Sequence, residues 1–398
     1  MKKVLVTGAS GYIGIPLVDL LCKSNYNVSV VGRNKQKLKQ LFPSIKSFSY
    51  KELFYKELKF DYIVHLAVAN NDNKVSPEHY YDTNVTLLKN LLSFSKNSKV
   101  SKFLNLTTLH VFTKKKNAYV QTKREALRLL EEVQEFSIRN VFIPAVHGHT
   151  LKGKLKILSI FPKKIRDILI KLLSSMFPVI ERQKLCNHIV KLLGGSETER
   201  NLYFYDDKNK NLVFKTIKVG IDIIFSSIVL IFFSWLLISI SLLIKLNSRG
   251  PILFIQERIG QGGCIFKIYK FRTMKIGTRN VGTHKIDKKS ITPFGKVLRK
   301  TKLDELPQII NILFGQMSLI GPRPGLPTQK SLYKERKKRG IYSVKPGISG
   351  YSQLNNIDMS APEQIAEWDQ RYIAMRSIIF EFKLLLYTFT NGFGDKVK

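Results

Sequence analysis

Residues 223–244, IIFSSIVLIFFSWLLISISLLI, carry no charged side chain over 22 positions. At about 1.5 Å per residue, a straight helix of that length reaches roughly 33 Å, enough to cross the hydrocarbon core of a bilayer. The chain is therefore read as membrane-inserted, with separate soluble parts before and after this run. Basic residues flank both ends: Lys208, Lys210, Lys215 and Lys218 before it, Lys245, Arg249 and Arg258 after it. A simple span carries its basic excess mainly on the cytoplasmic side, so two basic flanks favour a helix that dips in and returns, with an ordinary span as the alternative. A sharp bend needs Pro, Gly or a Ser hydroxyl inserted into the backbone ladder. No Pro or Gly lies between Gly220 and Gly250, which leaves Ser234 as the residue placed to supply one.

A length of 398 residues implies two or three domains. Lys and Arg outnumber Asp and Glu by 66 to 29, and the excess is spread: 36 against 17 over residues 1–214, 4 against 1 over 215–250, and 26 against 11 over 251–398. Spread charge suits anionic lipid or anionic substrates; a nucleic-acid reader would concentrate it on one helix or arm, so no nucleic-acid partner is expected. Cys22, Cys186 and Cys264 lie far apart in no metal-ligand spacing, which points to a reducing compartment and to neither a zinc site nor a disulfide framework. The opening MKKVLVTGASGYIG has an apolar run too short for a signal peptide and reads as a first strand.

Residues 3–7 form that strand, and Gly8, Gly11 and Gly14 follow at GxxGxxG spacing before a helical stretch. Such glycines let the backbone approach a pyrophosphate at a helix N-terminus, although a tight strand-to-helix turn would look the same. Further strands follow in VSVVGR, DYIVHLA and KFLNLTT, separated by helix-length segments, which predicts an α/β fold with a doubly wound parallel sheet. Tyr119 and Lys123 share one helix face. Arg33, just past the second strand, suits a 2′-phosphate and hence NADP over NAD, or is a solvated arginine.

With TGASGYIG, DYIVHLA, the NVTLLKNLL helix carrying Asn84, and Tyr119 and Lys123 in place, the module resembles the extended short-chain dehydrogenase/reductase family of NAD(P)-dependent nucleotide-sugar epimerases, dehydratases and reductases. The resemblance implies a Rossmann-like fold and sets Gly8, Gly11, Tyr12, Ile13, Gly14, Arg33 and Lys123 around the cofactor. It makes Tyr119 the general acid/base, Lys123 the cation that lowers its pKa, and Thr108 the substitute for the usual hydroxyl donor. A phenol of ordinary pKa about 10 needs such a cation to work at neutral pH. Two departures stand out: Tyr119 follows Thr108 by only eleven positions, and residues 150–200 are basic and amphipathic at helical spacing where a substrate domain would lie. That face could lie on a membrane or pack on the sheet.

After the apolar run, GPILFIQERIGQGGCIFKIYKFRTM reads as a hairpin turning at 261–263, with Lys270 and Arg272 two apart on one face, a seat for phosphate or a solvated charged surface. In TKLDELPQ, Thr301 stands three residues before Asp304, so an N-cap with Asp304 and Glu305 in the first helical turn is one reading of the adjacent carboxylates. The GPRPG loop at 321–325 offers another. Pro322 and Pro324 fix the backbone on either side of Arg323 and aim one guanidinium at an anion.

Together QERIG, KFRTM, LRKTKLDELPQIINILFGQMSLIGPRP, KPGISGYSQ and WDQRY resemble the bacterial sugar transferases, the monotopic phosphoglycosyl transferases, over nearly all of residues 215–390. The resemblance implies transfer of a sugar-1-phosphate from a UDP-sugar to a membrane polyprenyl (undecaprenyl) phosphate, with UMP released and Mg²⁺ required, at the start of surface-glycan assembly. Asp304 would attack the sugar-linked phosphorus. Glu305 would hold Mg²⁺ or help activate the acceptor, Mg²⁺ would sit at Asp304 and Glu305, and Arg323, Lys270 and Arg272 would stabilise the transferring charge. Every reactant is anionic, which accounts for carboxylates set among so many cations. The family's membrane helix usually breaks at Ser-Pro; here the pair is Ser234-Trp235.

The expected organisation is a dehydrogenase/reductase-like domain over 1–205, a linker over 206–222, a membrane helix over 223–246 and a transferase domain over 247–398, held at the bacterial inner membrane with both soluble modules cytoplasmic. Three functions remain open at this level: a fused enzyme whose front module reduces or epimerises the donor sugar, a transferase with an inert nucleotide-binding front module, and a membrane-tethered adaptor without catalysis. The identity of the sugar and any homo-oligomer are not legible.

Overall fold

A computed structural model describes residues 1–69, 75–113, 115–148, 153–196, 198–278, 288–357 and 360–390. Of the basic stretch 150–200, residues 150–152 and 197 lie outside these, as do 279–287, 358–359 and 391–398 of the expected transferase domain. The chain divides into two compact units, Met1–Asp167 with Pro178–Asp206, and Ile168–Phe177 with Asp207–Lys398.

The first unit is built on a seven-stranded sheet running Lys46–Ser49, Asn27–Gly32, Lys3–Thr7, Tyr62–His65, Lys102–Thr108, Ser137–Ile143 and Asn201–Tyr203, every neighbouring pair parallel. The doubly wound α/β expectation holds. Apolar residues on both faces of the central strands explain their continuous hydrophobic runs. Val4 and Val6 pack with Leu17 and Val18 on one side, while Leu5, Ile63 and Phe103 pack with Leu88 and Leu91 on the other.

The first strand ends in a turn that only glycine can make. Gly8 has φ +68°, and a Cβ there would stand 2.7 Å from the Ala67 nitrogen; at Gly14 a Cβ would meet the Gly8 and Ala9 carbonyl oxygens at 2.5 Å. Gly8→Ala is therefore expected to cost at least about 1–3 kcal/mol, from left-handed backbone strain and the backbone clash together. A thermal melt of the purified chain, followed by circular dichroism, reads it; an unchanged first-unit transition would show that the turn relaxes freely.

In the second unit, the apolar run is split. Leu212–Phe232 is one helix and Ser234–Asn247 another, bent by 63°, and among the described residues no single helix is long and apolar enough to cross a membrane. Phe233 sits at φ −108°, ψ 15°, and the Ser234 hydroxyl donates to the Ile231 carbonyl at 3.0 Å. The break thus falls at the serine, with no proline.

The segment 206–222 is not the linker expected. Asn211 caps a helix that begins at Leu212, accepting from the Phe214 amide at 3.2 Å. The reason is a buried polar anchor that hydropathy does not reveal. Lys218 pairs with Asp222 and with Glu381, and Asp222 accepts from the Leu319 amide at 3.1 Å. Around this helix lie the antiparallel hairpin Leu253–Ile259 with Ile265–Phe271, the short parallel pair Ser318–Ile320 with Gly347–Ser349, and the closing helices Pro362–Met375 and Ile378–Thr390.

Candidate active site

The adjacent carboxylates sit on a single 3-10 turn, Leu303–Glu305, and Thr301 does not cap them. The preceding helix, Pro293–Thr301, starts at Thr292, whose hydroxyl accepts from the Gly295 amide at 3.0 Å. It ends because Lys302 adopts the left-handed conformation at φ 58°. Thr301 therefore belongs to that helix, and its hydroxyl turns back to the Val297 and Leu298 carbonyls at 2.9 and 3.2 Å. The capping reading fails for that reason, and neither carboxylate is committed to a helix end.

Their surroundings differ. Glu305 Oε1 receives Lys270 Nζ at 2.8 Å and Arg323 Nη2 at 2.9 Å. Burial pushes the Glu305 carboxyl up, but Arg323 and Lys270 outweigh it and hold it well below the usual carboxylate range. Asp304 is buried, and its Oδ1 has no hydrogen-bond partner. Burial raises its pKa, the Glu305 charge raises it further, and Lys270, Arg299 and Arg323 pull it back only in part. One turn thus holds a carboxylate neutralised by two cations and another left with an unsatisfied oxygen and a raised pKa, the arrangement a nucleophile requires.

Arg323 is aimed by its backbone. The Arg323 carbonyl accepts from Arg336 Nη1 at 2.7 Å and the Pro324 carbonyl from Arg258 Nη1 at 3.0 Å. Pro322 accepts from the Gly347 amide at 3.0 Å and Gly325 from the Ile259 amide at 3.0 Å, so four successive carbonyls of the loop are held. Arg336 is fixed in turn by Asp369, through Nε at 3.0 Å and Nη2 at 2.7 Å, with Ser352 donating to the same carboxylate at 3.1 Å.

The structure therefore brings together Asp304, Glu305, Lys270 and Arg323. It does not bring in Arg272. The strand ends at Phe271, and the Arg272 guanidinium donates to the Ser248 and Arg249 carbonyls at 2.8 Å, where the chain leaves the second apolar helix. Arg299, not singled out in the sequence, faces Asp304 electrostatically instead.

Beside Glu305 and Arg323 lies a cavity of about 490 Å³ whose other walls include Phe225 and Val229 from the first apolar helix and Leu385 and Phe389 from the last. One end is charged and the other apolar, the shape of an amphiphile site. Among the described residues no three His, Cys, Asp or Glu side chains gather around a common point. Mg²⁺ still suits the turn, because it usually takes one or two protein carboxylates and fills its shell with water and substrate phosphate oxygens, and Asp304 Oδ1 is an orphaned donor atom of the right kind.

In the first unit, Tyr119 and Lys123 lie one turn apart on the helix Ala118–Glu132, capped by Asn117. Lys123 is buried, and burial lowers its pKa to about 8. Thr108 is the cap of the next turn, its hydroxyl accepting from the His110 amide at 3.2 Å. Asn84 is spent on structure: it accepts from the Ala69 amide at 3.1 Å and donates to Thr122 at 3.1 Å. Gly8, Gly11, Tyr12, Ile13 and Gly14 form the turn after the first strand, a cradle that added Cβ atoms would fill, as a dinucleotide site requires. Arg33 stands just past the second strand, near enough to the Tyr50 phenol to oppose the rise that burial gives its pKa, to about 12. Sequence reasoning missed Arg182, whose guanidinium lies 4.4 Å from the Tyr12 ring centroid.

Residues 213–395 match the bacterial sugar transferase family, and residues 4–138 match the NAD dependent epimerase/dehydratase family. The chain is 38% identical over 195 residues to the UDP-glucose:undecaprenyl-phosphate glucose-1-phosphate transferase of Klebsiella pneumoniae, covering 47% of this chain and 41% of that one. It is 41% identical over 194 residues to the UDP-N-acetylgalactosamine-undecaprenyl-phosphate N-acetylgalactosaminephosphotransferase of Aeromonas hydrophila, covering 46% of each. With the exopolysaccharide production protein PSS of Rhizobium leguminosarum bv. phaseoli it shares 34% identity over 187 residues, 43% of this chain and 92% of that protein. The chain thus spans less than half the length of the first two relatives and nearly all of the third.

Proposed function

The chain belongs to the bacterial sugar transferase family, and from that premise we propose that its second unit moves a sugar-1-phosphate from a UDP-sugar to a polyprenyl phosphate such as undecaprenyl phosphate, releasing UMP. The observation that carries the reading is the buried, unpartnered Asp304 Oδ1 beside a Glu305 already neutralised by Lys270 and Arg323. Asp304 attacks the sugar-bearing phosphorus, and the bond from that phosphorus to the oxygen bridging to the uridine phosphate breaks. UMP leaves with the electron pair, and the sugar phosphate is held as an acyl phosphate. An oxygen of the lipid phosphate then attacks the same phosphorus, and the Asp304 carboxylate departs. Arg323 and Lys270, kept in place by Glu305, stabilise the charge on the transferring group. Mg²⁺ at Asp304 and Glu305, when bound, supplies further neutralisation of the donor's phosphates.

The acceptor enters through the cavity, its phosphate toward Glu305 and Arg323 and its isoprenoid against Phe225, Val229, Leu385 and Phe389. The bend supports re-entry: the uncharged arms on either side of Phe233 are each about 15 Å long, half the hydrocarbon thickness. Both soluble units then face the cytoplasm at the bacterial inner membrane. In a background with the exposed Cys22 and Cys264 replaced by Ser, Lys210→Cys and Lys267→Cys are expected to resist an impermeant maleimide in intact cells and react once the cells are opened. Labelling of one of them in intact cells would rule out re-entry.

The first unit binds NADP(H) in the Gly8–Gly14 cradle with Arg33 on the 2′-phosphate, and Tyr119 with Lys123 performs a redox or epimerising step on the nucleotide sugar. A second reading, binding without catalysis, draws on Thr108, whose hydroxyl is engaged as a cap. Fluorescence titration should show NADPH binding at least about tenfold tighter than NADH, with the preference lost in Arg33→Ala. Binding without turnover of 4-keto or 4-epimeric UDP-sugars would leave the second reading standing.

The transferase is tested by UMP release from nanodisc-held protein with Mg²⁺, undecaprenyl phosphate and a panel of UDP-sugars. Turnover on one sugar is the expected result. Silence across the panel, also after NADPH and 4-keto donors are added, would sink the assignment.

A further inference from the structure

The helix Lys163–Met176 shows solvent an apolar stripe that no element covers: Ile165, Ile168 and Leu172, at spacings of three and four, are 47%, 64% and 46% exposed. Lys164 and Lys171 flank the stripe on one side and Arg166 on the other, and Lys163 also lies open to solvent. A helix with exposed branched aliphatics between basic edges matches an anionic lipid surface, the aliphatics entering the acyl boundary and the basic heads remaining at phosphate level.

What seats this helix is independent of its amphipathicity. Asn211 donates to the Lys171 carbonyl at 2.9 Å and to Ser174 Oγ at 2.6 Å, while its own Oδ1 accepts from the Phe214 amide and caps Leu212–Phe232. Lys208 donates to the Ser174 carbonyl and, at 2.9 Å, to the Phe177 carbonyl, satisfying the end of the exposed helix. One asparagine thus ties the C-terminal turn of the amphipathic helix to the first residue of the helix that carries the apolar run. Ser174 lies about half a turn from the apolar stripe, so the tether holds the back of the helix and leaves the stripe outward.

We propose that Lys163–Met176 lies in the plane of the anionic bilayer surface beside the point where Leu212–Phe232 enters it, a second membrane contact upstream of the family-matching residues 213–395. The inference rests on entry of the bent pair into the bilayer, so the experiment monitors that separately.

Full-length protein, with Cys22 and Cys264 replaced by Ser, is labelled with bimane at Ile168→Cys, Leu172→Cys, Lys171→Cys or, as the insertion control, Phe232→Cys. Each is placed in nanodiscs of phosphatidylethanolamine and phosphatidylglycerol. Bimane at residues 168 and 172 is expected to be quenched by doxyl lipid, with iodide quenching at least about threefold weaker than at residue 171. Quenching at 232 by lipid but at 168 by iodide would overturn the proposal while leaving insertion intact. Shielding of 168 from both quenchers would mean that protein covers the stripe and would overturn it equally. Loss of lipid quenching at 232 would remove the premise, and the proposal with it.

Discussion

Asp304→Asn abolishes UMP release, by about a thousand-fold or more, and leaves the fold at least as stable as before. The rate loss follows because an amide oxygen cannot form the acyl phosphate, and removal of a covalent nucleophile costs at least that factor. The stability gain follows from the sign of the pKa shift. Burial first, and the Glu305 charge second, raise the Asp304 pKa above its ordinary value of 3.8. A carboxyl whose folded pKa exceeds its unfolded one opposes folding once the pH is above the unfolded value, so at neutral pH the ionised side chain is a cost that Asn removes. Loss of turnover together with an unchanged or higher melting midpoint separates a nucleophile from a structural carboxylate; a folded Asp304→Asn that still releases UMP would transfer the role elsewhere.

The same shift sets the acid limb of the rate profile. As the pH falls, Asp304 protonates first, at a pH above the ordinary aspartate range, while Glu305 remains ionised well below it. Turnover should therefore disappear while the ion pairs of Glu305 with Lys270 and Arg323 are intact. In Lys270→Met, which loses a cation that lowers the Asp304 pKa, the limb should move to higher pH in addition to the drop in rate. A limb that stays in place would mean that another group titrates.

The site was legible where chemistry is written in consecutive residues. LDELPQ and GPRPG name Asp304, Glu305 and Arg323 directly, and alternation along the hairpin reached Lys270. It was illegible where the deciding contact lies far along the chain. Thr301 matched the capping signature, yet Lys302 in the left-handed conformation ends the helix one residue too late for Thr301 to cap the next turn. Arg272 was placed by strand periodicity, but the strand stops at Phe271. In the run KERKKR, composition makes every residue a solvated charge, yet Arg336 is 2% exposed because Asp369, 33 positions later, receives it. The WDQRY segment contained that partner without disclosing its use. In the first unit the central strands announced themselves as buried apolar runs. The edge strands Lys46–Ser49 and Asn201–Tyr203 are too short and too polar to do so.

Asp369→Ala should be the most damaging change outside the carboxylate turn. Asp369 and Arg336 are each 2% exposed at the side chain, and removing the acid strands a guanidinium in the interior. Breaking one partner of a buried pair costs about 3–5 kcal/mol, which for a unit of this size lowers the melting midpoint by roughly ten degrees. Activity should fall further than the folded fraction does, because Arg336 also holds the Arg323 carbonyl and so the aim of the catalytic guanidinium. The double variant Arg336→Met, Asp369→Leu tells the two effects apart. An apolar pair of similar volume can recover most of the stability, since a buried ion pair contributes little net free energy once its desolvation is counted. It cannot donate to the Arg323 carbonyl, so turnover should stay depressed, with the loss in kcat rather than in KM for the UDP-sugar. Recovery of both stability and rate would reduce the pair to packing and leave the clamps on neighbouring carbonyls as the sufficient support for Arg323.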